Sequence, residues 1–216
     1  MKNRKKTALL LTTLVGLMLG VSLLIGGTYA LFTAKTSIKN HLSAGNLNVS
    51  LLRTSYTKTY IDADGYLKEK TDNNEKDFSG TSSENVFGIE NNEVIVPTSS
   101  YTANMKLMNG KKSGSTYVKS SVAFTYNVKL SVGTGSDTAL TSQLNVTIKQ
   151  GSTTVSKKLS EFGTESTLFS GTMTLKDEYQ IFSVTLAFPD LTSNNSAQNK
   201  SATFDLIVEA VQKTKA

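Results

Sequence analysis

Apolar residues alternate with polar ones along most of this chain, which is the period of a β-strand with one buried face. The longest run is Ser120 to Gly133, where every second residue from Val122 to Val132 is apolar. Similar stripes recur in four more segments, which are 101–107, 144–148, 182–188 and 202–210. Threonine and serine fill many of the alternate positions, as expected for a half-buried sheet that faces water.

The same pattern decides the fold class. No segment keeps a helical period for more than about two turns, and Lys157 to Phe162 is the best short helical candidate. Gln150-Gly151-Ser152 is a turn signal between two short stripes. At least seven strands separated by turns predict an all-β fold, an antiparallel jelly-roll-like sandwich.

The N-terminus has a different character. Lys2 to Lys6 are basic except for Asn3, and Thr7 to Gly27 contain no charge. This pattern predicts a helical signal peptide over residues 1–30, cleaved after Ala30, with Thr28 two positions before the cut. The alternative is an uncleaved membrane anchor, because the apolar stretch is long enough to span a bilayer. In either case we expect the chain to act outside the cell membrane, as a secreted protein of the extracellular matrix or cell surface.

The first strand after the cut covers residues 31–44. From Phe32 onward its apolar residues fall on one parity, with Thr36 and Asn40 as polar exceptions, while His41 falls on the other and is predicted to face solvent. Gly45 then shifts the phase, which separates this strand from a body at 45–216. Two arrangements stay open: the strand pairs within its own domain, or it completes the sheet of another copy.

Residues 53–93 interrupt the pattern. They hold nine of the seventeen acids and few apolar residues, and we expect a long polar surface excursion with a hairpin near Asp62 to Tyr66. Asp62 and Asp64 are a weak calcium candidate because hard cations bind closely spaced carboxylates. The glycine follows the second acid directly, unlike an EF-hand, so the spacing favours ordinary turn chemistry.

Composition excludes several classes of protein. The chain has no cysteine and one histidine, so disulfides, thiol nucleophiles and His/Cys zinc sites are not expected. His41 has no triad partners at an informative spacing, and we predict no catalytic residues and no cofactor. Four of the 23 bases lie in the first six positions, so cleavage leaves nineteen bases against seventeen acids. This near-neutral balance argues against a nucleic-acid partner.

Several motifs together resemble one protein family. Gly26 to Phe32 (GGTYALF) and Leu42 to Val49 (LSAGNLNV) are similar to the start of the TasA/camelysin proteins of Gram-positive bacteria. Val96-Pro97, followed by the strand that begins at Tyr101, resembles a second signature of that family. Phe204 to Gln212 (FDLIVEAVQ) is similar to its closing strand. The likeness covers both ends and the middle of the chain.

The resemblance implies a jelly-roll subunit, exported through a dedicated signal peptidase, that assembles into extracellular fibres of a biofilm matrix. In such fibres the N-terminal strand fills a groove of the next subunit. The donor residues would be Phe32, Ala34, Ile38 and Leu42, and the processing site would be Thr28 to Ala30. The implied partners are other copies of the chain, the signal peptidase, and a matrix anchor or minor fibre protein.

The chain departs from the family in two ways. Pro97-Thr98-Ser99 stands where the family usually has Pro-Gly-Asp, so the following turn can differ. Camelysins have been classed as metallopeptidases, but this chain lacks the histidines for a metal site, so that activity is not transferred. The leading hypothesis is a structural fibre subunit. The alternatives are a monomeric surface adhesin that uses residues 53–93 and, less favoured, a secreted hydrolase of the metallopeptidase kind.

Overall fold

The structure, a computed structural model, contains two main β-sheets. It describes the backbone of residues 30–41 and, further along, residues 47–61, 66–79, 85–89, 94–113, 116–191 and 194–213. The five-stranded sheet has, in spatial order, β12 (Ser166–Met173), β9 (Phe124–Val132), β14 (Ser201–Gln212), β1 (Ala30–His41) and β5 (Val94–Ile95).

The second sheet is larger. Its spatial order is β11 (Thr153–Lys158), β10 (Asn145–Gln150), β13 (Tyr179–Ala187), β6 (Ser100–Met108), β2 (Ser50–Ile61) and β3 (Leu67–Asp72), and β4 (Lys76–Asp77) also pairs with β2. A separate hairpin joins β7 (Lys111–Ser113) to β8 (Thr116–Val118). One helical turn, α1 (Thr138–Thr141), and two 3-10 turns, Leu159–Glu161 and Asn194–Ala197, complete the described elements.

The two sheets pack face to face around one apolar core. The alternating residues of the predicted stripes are buried, for example Tyr101, Ala103, Met105 and Leu107 on β6. Phe169 of the five-stranded sheet meets Phe182 of the seven-stranded sheet edge to face, with ring centroids 5.1 Å apart. The prediction of an all-β sandwich is therefore confirmed.

The local predictions agree in most places. β10 and β11 form the predicted hairpin, and Gly151 in its turn has a φ of 56°. The short candidate around residue 160 is the 3-10 turn Leu159–Glu161. The helical turn α1 was not predicted. It begins at Asp137, whose carboxylate accepts a hydrogen bond from the Ala139 amide (2.9 Å).

Residues 53–93 are only partly the polar surface excursion that the sequence predicts. The hairpin is confirmed, because β2 and β3 pair in antiparallel register up to Ile61 and Leu67. The surface location is wrong for six described side chains, which are buried: Arg53, Tyr56, Lys58 and, within the apolar core itself, Phe78, Val86 and Phe87. These apolar residues are spaced irregularly within a polar majority, so no period reveals them.

Two of these buried side chains are cations of β2 that bind the backbone of residues 85–89. The Arg53 guanidinium lies over the Tyr56 ring, 4.6 Å from its centroid, and donates to the Val86 carbonyl (3.2 Å). The Lys58 ammonium donates to the Gly88 carbonyl at 3.2 Å. Buried cations are stable only when hydrogen bonds or π-faces replace water. Residues 85–89 are therefore held from beneath by side chains of β2.

Candidate functional site

The first strand lies along the edge of β14. The two strands run parallel, in register from Leu31 opposite Ser201 to His41 opposite Val211. The other pairings among the described strands are antiparallel, as predicted, so this parallel pair is a difference from the sequence analysis. Alternation defines which residues of a strand face the core but not the direction of its neighbour.

The predicted donor positions fall opposite core residues of β14. Three pairs are in register with buried β14 residues: Phe32 with Ala202, Ala34 with Phe204, and Ile38 with Val208. Leu42 and Thr28 lie outside the described residues. Ala30, the last residue before the predicted cut, is the first residue of β1 and pairs with Ile95.

In this single chain, β1 is paired within its own domain, which is one of the two arrangements that the sequence left open. Its second neighbour, β5, covers only Ala30 and Leu31. Among the described strands, the rest of that side of β1 has no paired neighbour. An edge of this kind can accept a further strand from another chain.

The body of the domain begins at residue 47. Leu47 and Val49 are buried in the core. The Asn48 amide donates to the Ser120 hydroxyl (2.9 Å), which donates in turn to the Asn48 carbonyl (2.6 Å). This clamp separates the N-terminal arm, defined here as residues 31–46, from the body. The sequence indicates the boundary through Gly45, but nothing in it identifies Ser120 as the partner.

β14 is supported on its other side without any contribution from β1. It pairs with β9 over nine residues, from Phe204 to Gln212. On the outer face, Lys129 of β9 forms ion pairs with Glu209 (2.7 Å) and Glu165 (3.3 Å). The hydrogen bond to Glu209, followed by the one to Glu165, raises the pKa of Lys129. The pairing with β9 and the Lys129 ion pairs therefore hold β14 in place independently of β1.

Phe204 of β14 also contacts the 53–93 segment in the core. Its ring meets that of Phe87 edge to face, with the centroids 6.1 Å apart. No periodic pattern predicts this support for β14, and the apolar pair Val86-Phe87 inside a polar segment is only a weak signal for it.

The calcium candidates Asp62 and Asp64 lie outside the described residues. Nearby acids are engaged locally: the Asp72 and Asp77 carboxylates accept amide hydrogen bonds from Asn74 (2.9 Å) and Ser79 (2.7 Å). Within the parts of the chain that the structure describes, no three His, Cys, Asp or Glu side chains cluster as metal ligands. The His41 side chain, for which the sequence predicts no chemistry, is not described.

The chain was also compared with known proteins. In the described portion, no helix is both long and apolar enough to cross a membrane. The resemblance to the TasA/camelysin family stays a prediction from the quoted motifs. No protein-family model matches this chain, and neither does any curated protein sequence.

Proposed function

We propose that the chain, once cleaved after Ala30, is a secreted structural subunit of extracellular biofilm matrix fibres. The N-terminal arm of one copy would lie against β14 of the next copy, by donor-strand complementation. The placement of β1 carries the proposal: it joins the body through the β14 ladder, the short contact with β5 and the connection at 42–46. The ladder and the β5 contact are non-covalent and could pass to another copy, whereas the connection at 42–46 is covalent and stays with its own chain.

The β14 ladder does not by itself distinguish a strand held in cis from one donated to another copy. Eleven residues of β1 pair with β14, and each hydrogen bond contributes a net of about 0.5–1.5 kcal/mol. Ordering each backbone residue costs about 1–2 kcal/mol, so the ladder offsets only part of the ordering cost and burial of apolar side chains must supply the rest. Because the same contacts would form in both arrangements, the strand would occupy β14 of its own chain or of another with a similar contact energy, and local concentration would decide between them.

Cysteine cross-linking tests this proposal directly, because the chain has no cysteine of its own. Lys35 lies opposite Asp205, and adjacent strands about 4.8 Å apart are within disulfide range. We would mix Lys35→Cys chains with Asp205→Cys chains, oxidise the fibres and separate the products on a denaturing gel. Donation in trans predicts cross-linked dimers. The matched control pairs Lys35→Cys with Glu209→Cys, which is about 13 Å along the strand and should not cross-link.

A second comparison separates arm exchange from other contacts between copies. The double variant Lys35→Cys/Asp205→Cys, oxidised as a monomer, should stay monomeric in sedimentation and form fibres only after reduction. A chain that starts at residue 47 should not form fibres, and added peptide 31–46 should bind it. Fibres that form equally well from the oxidised double variant would refute the arm mechanism. A cleaved chain that stays monomeric at every concentration would favour the surface-adhesin alternative.

A further inference from the structure

A row of hydroxyl side chains crosses the outer face of the seven-stranded sheet. Its six members occupy six neighbouring strands, each in register with the next: Thr71, Thr57, Thr102, Thr185, Thr147 and Ser156. Neighbouring strands lie about 4.8 Å apart, so the row is about 24 Å long. We call it the hydroxyl row.

The hydroxyls of the row are already oriented by one another. They form three hydrogen-bonded pairs: Thr57 with Thr71 (3.1 Å), Thr102 with Thr185 (2.9 Å), and Thr147 with Ser156 (2.9 Å). A hydroxyl offers one donor and two acceptor positions, and each pair uses one donor and one acceptor. Every pair therefore keeps one donor and three acceptor positions for a ligand.

A shallow cavity of about 400 Å³ adjoins the row on the same face. Its lining includes Thr54, Asn104, Lys149, Gly151, Ile181 and Ser183. Ile181 is 61% exposed and provides an apolar surface. The Asn104 amide donates to the Ser55 hydroxyl (2.9 Å), so its carbonyl is oriented as an acceptor. An apolar surface with a few convergent polar groups is typical of small-ligand sites.

The side chains of the row indicate the chemical class of ligand that this face would bind. The row contains no ionisable side chain, and Lys149 is the one charged residue that lines the adjoining cavity, where its ammonium is a further hydrogen-bond donor. These donors and acceptors complement an uncharged molecule rich in hydroxyl groups. A sheet twists by about 20–25° from strand to strand, so the row follows a curved path. A flexible chain can follow such a path, whereas a rigid planar surface cannot. We propose that the outer face of the seven-stranded sheet binds a neutral linear polysaccharide along the hydroxyl row, with one sugar over Ile181.

This site is separate from the edge of β14, which belongs to the other sheet. A monomer would bind the polysaccharide through one row. If the proposed fibre forms, each subunit adds a row, and the apparent affinity for a long polysaccharide rises through multivalency without any new contact.

The test uses a neutral linear glucan hexasaccharide, titrated into the cleaved protein by calorimetry. Thr102→Val/Thr185→Val keeps the branched shape and the β preference while removing the central pair of hydroxyls. Two lost hydrogen bonds to the sugar should weaken binding by about tenfold. The control is Thr125→Val/Thr172→Val, a registered pair on the outer face of the five-stranded sheet, which should leave the affinity unchanged.

Three results would overturn the proposal. The first is no heat of binding at millimolar hexasaccharide, or an equal loss in both double variants. The second is tighter, salt-sensitive binding of a polyuronate of the same length, which would indicate recognition by charge. The third is a change in sedimentation of the sugar-free protein in Thr102→Val/Thr185→Val, which would make the row a contact between copies. None of them alters the cysteine cross-linking between β1 and β14, so this proposal and the fibre proposal fail separately.

Discussion

Replacing Phe87 with alanine tests whether residues 85–89 belong to the core of the domain. The Phe87 side chain is 0% exposed, and its ring packs edge to face on Phe204 of β14. The surrounding backbone is held by Arg53 and Lys58, so it cannot easily collapse into the space left by the ring. Phe→Ala at such sites costs about 3–5 kcal/mol.

The measurement is urea unfolding of the cleaved protein followed by circular dichroism. With a denaturant slope of about 2 kcal/mol per molar urea, this loss lowers the unfolding midpoint by about 1.5–2.5 M. A single domain has about 5–15 kcal/mol of stability in total, so Phe87→Ala removes a large part of it. The control is Tyr66→Ala in the same segment, 65% exposed, which should change stability by less than about 0.5 kcal/mol.

Equal, small effects of the two substitutions would refute the reasoning. The segment would then be peripheral, as its polar composition suggests, and β14 would not depend on it. A large effect of Phe87→Ala accompanied by a changed denaturant slope would instead mean that the substitution alters the compactness of one of the two states.

Two further predictions concern local geometry and charge. Gly88 has a φ of 66°, and an added Cβ would overlap the Tyr56 ring, whereas Gly151 has a φ of 56° with open space around it. Gly88→Ala should therefore cost about 1–3 kcal/mol more than Gly151→Ala in the same urea assay, and equal costs would contradict the overlap. Hydrogen bonds from Lys200 and from the Ala139 amide hold the pKa of Asp137 below its usual range. As the pH is lowered, Asp137 is therefore protonated in the unfolded chain before it is protonated in the folded one. The stability that its carboxylate contributes is present above about pH 4 and is lost as the pH falls through the lowered pKa. In Asp137→Asn the urea midpoint should fall less steeply with decreasing pH than in wild type or in the exposed control Asp190→Asn. An unchanged slope would show that the Asp137–Lys200 ion pair is not coupled to folding.

The sequence predicts those strands in which one face is buried and the other is exposed to solvent. β6, β9, β13 and β14 all show this alternation, because burial selects apolar side chains at every second position. β12 was missed because its buried residues Leu168 and Met173 do not share one parity and Gly171 interrupts the strand. A bulge near Thr167 causes this change of phase.

Other features depend on contacts that no local pattern encodes. Arg53 and Lys58 belong to residue types that are almost never fully buried, so composition places them on the surface. Their burial follows from carbonyls and aromatic rings of residues up to 33 positions away. The parallel pairing of β1 with β14 joins the two ends of the chain, and only the folded body brings those ends together.

This dependence on the body bears on the proposed assembly. A donor strand whose ladder energy does not exceed its own ordering cost can bind only an acceptor that is already formed, because it cannot also offset the ordering of the acceptor. β14 meets this requirement through elements other than β1: the nine-residue ladder with β9, the Lys129 ion pairs and the Phe87 ring beneath Phe204. Five alternate β14 residues are also buried in the core. Their burial fixes the orientation of β14 and so the register in which an incoming strand would pair with it. β14 is thus held by contacts that do not involve β1, and under the proposed assembly that separation would let one copy exchange strands with another while both stay folded.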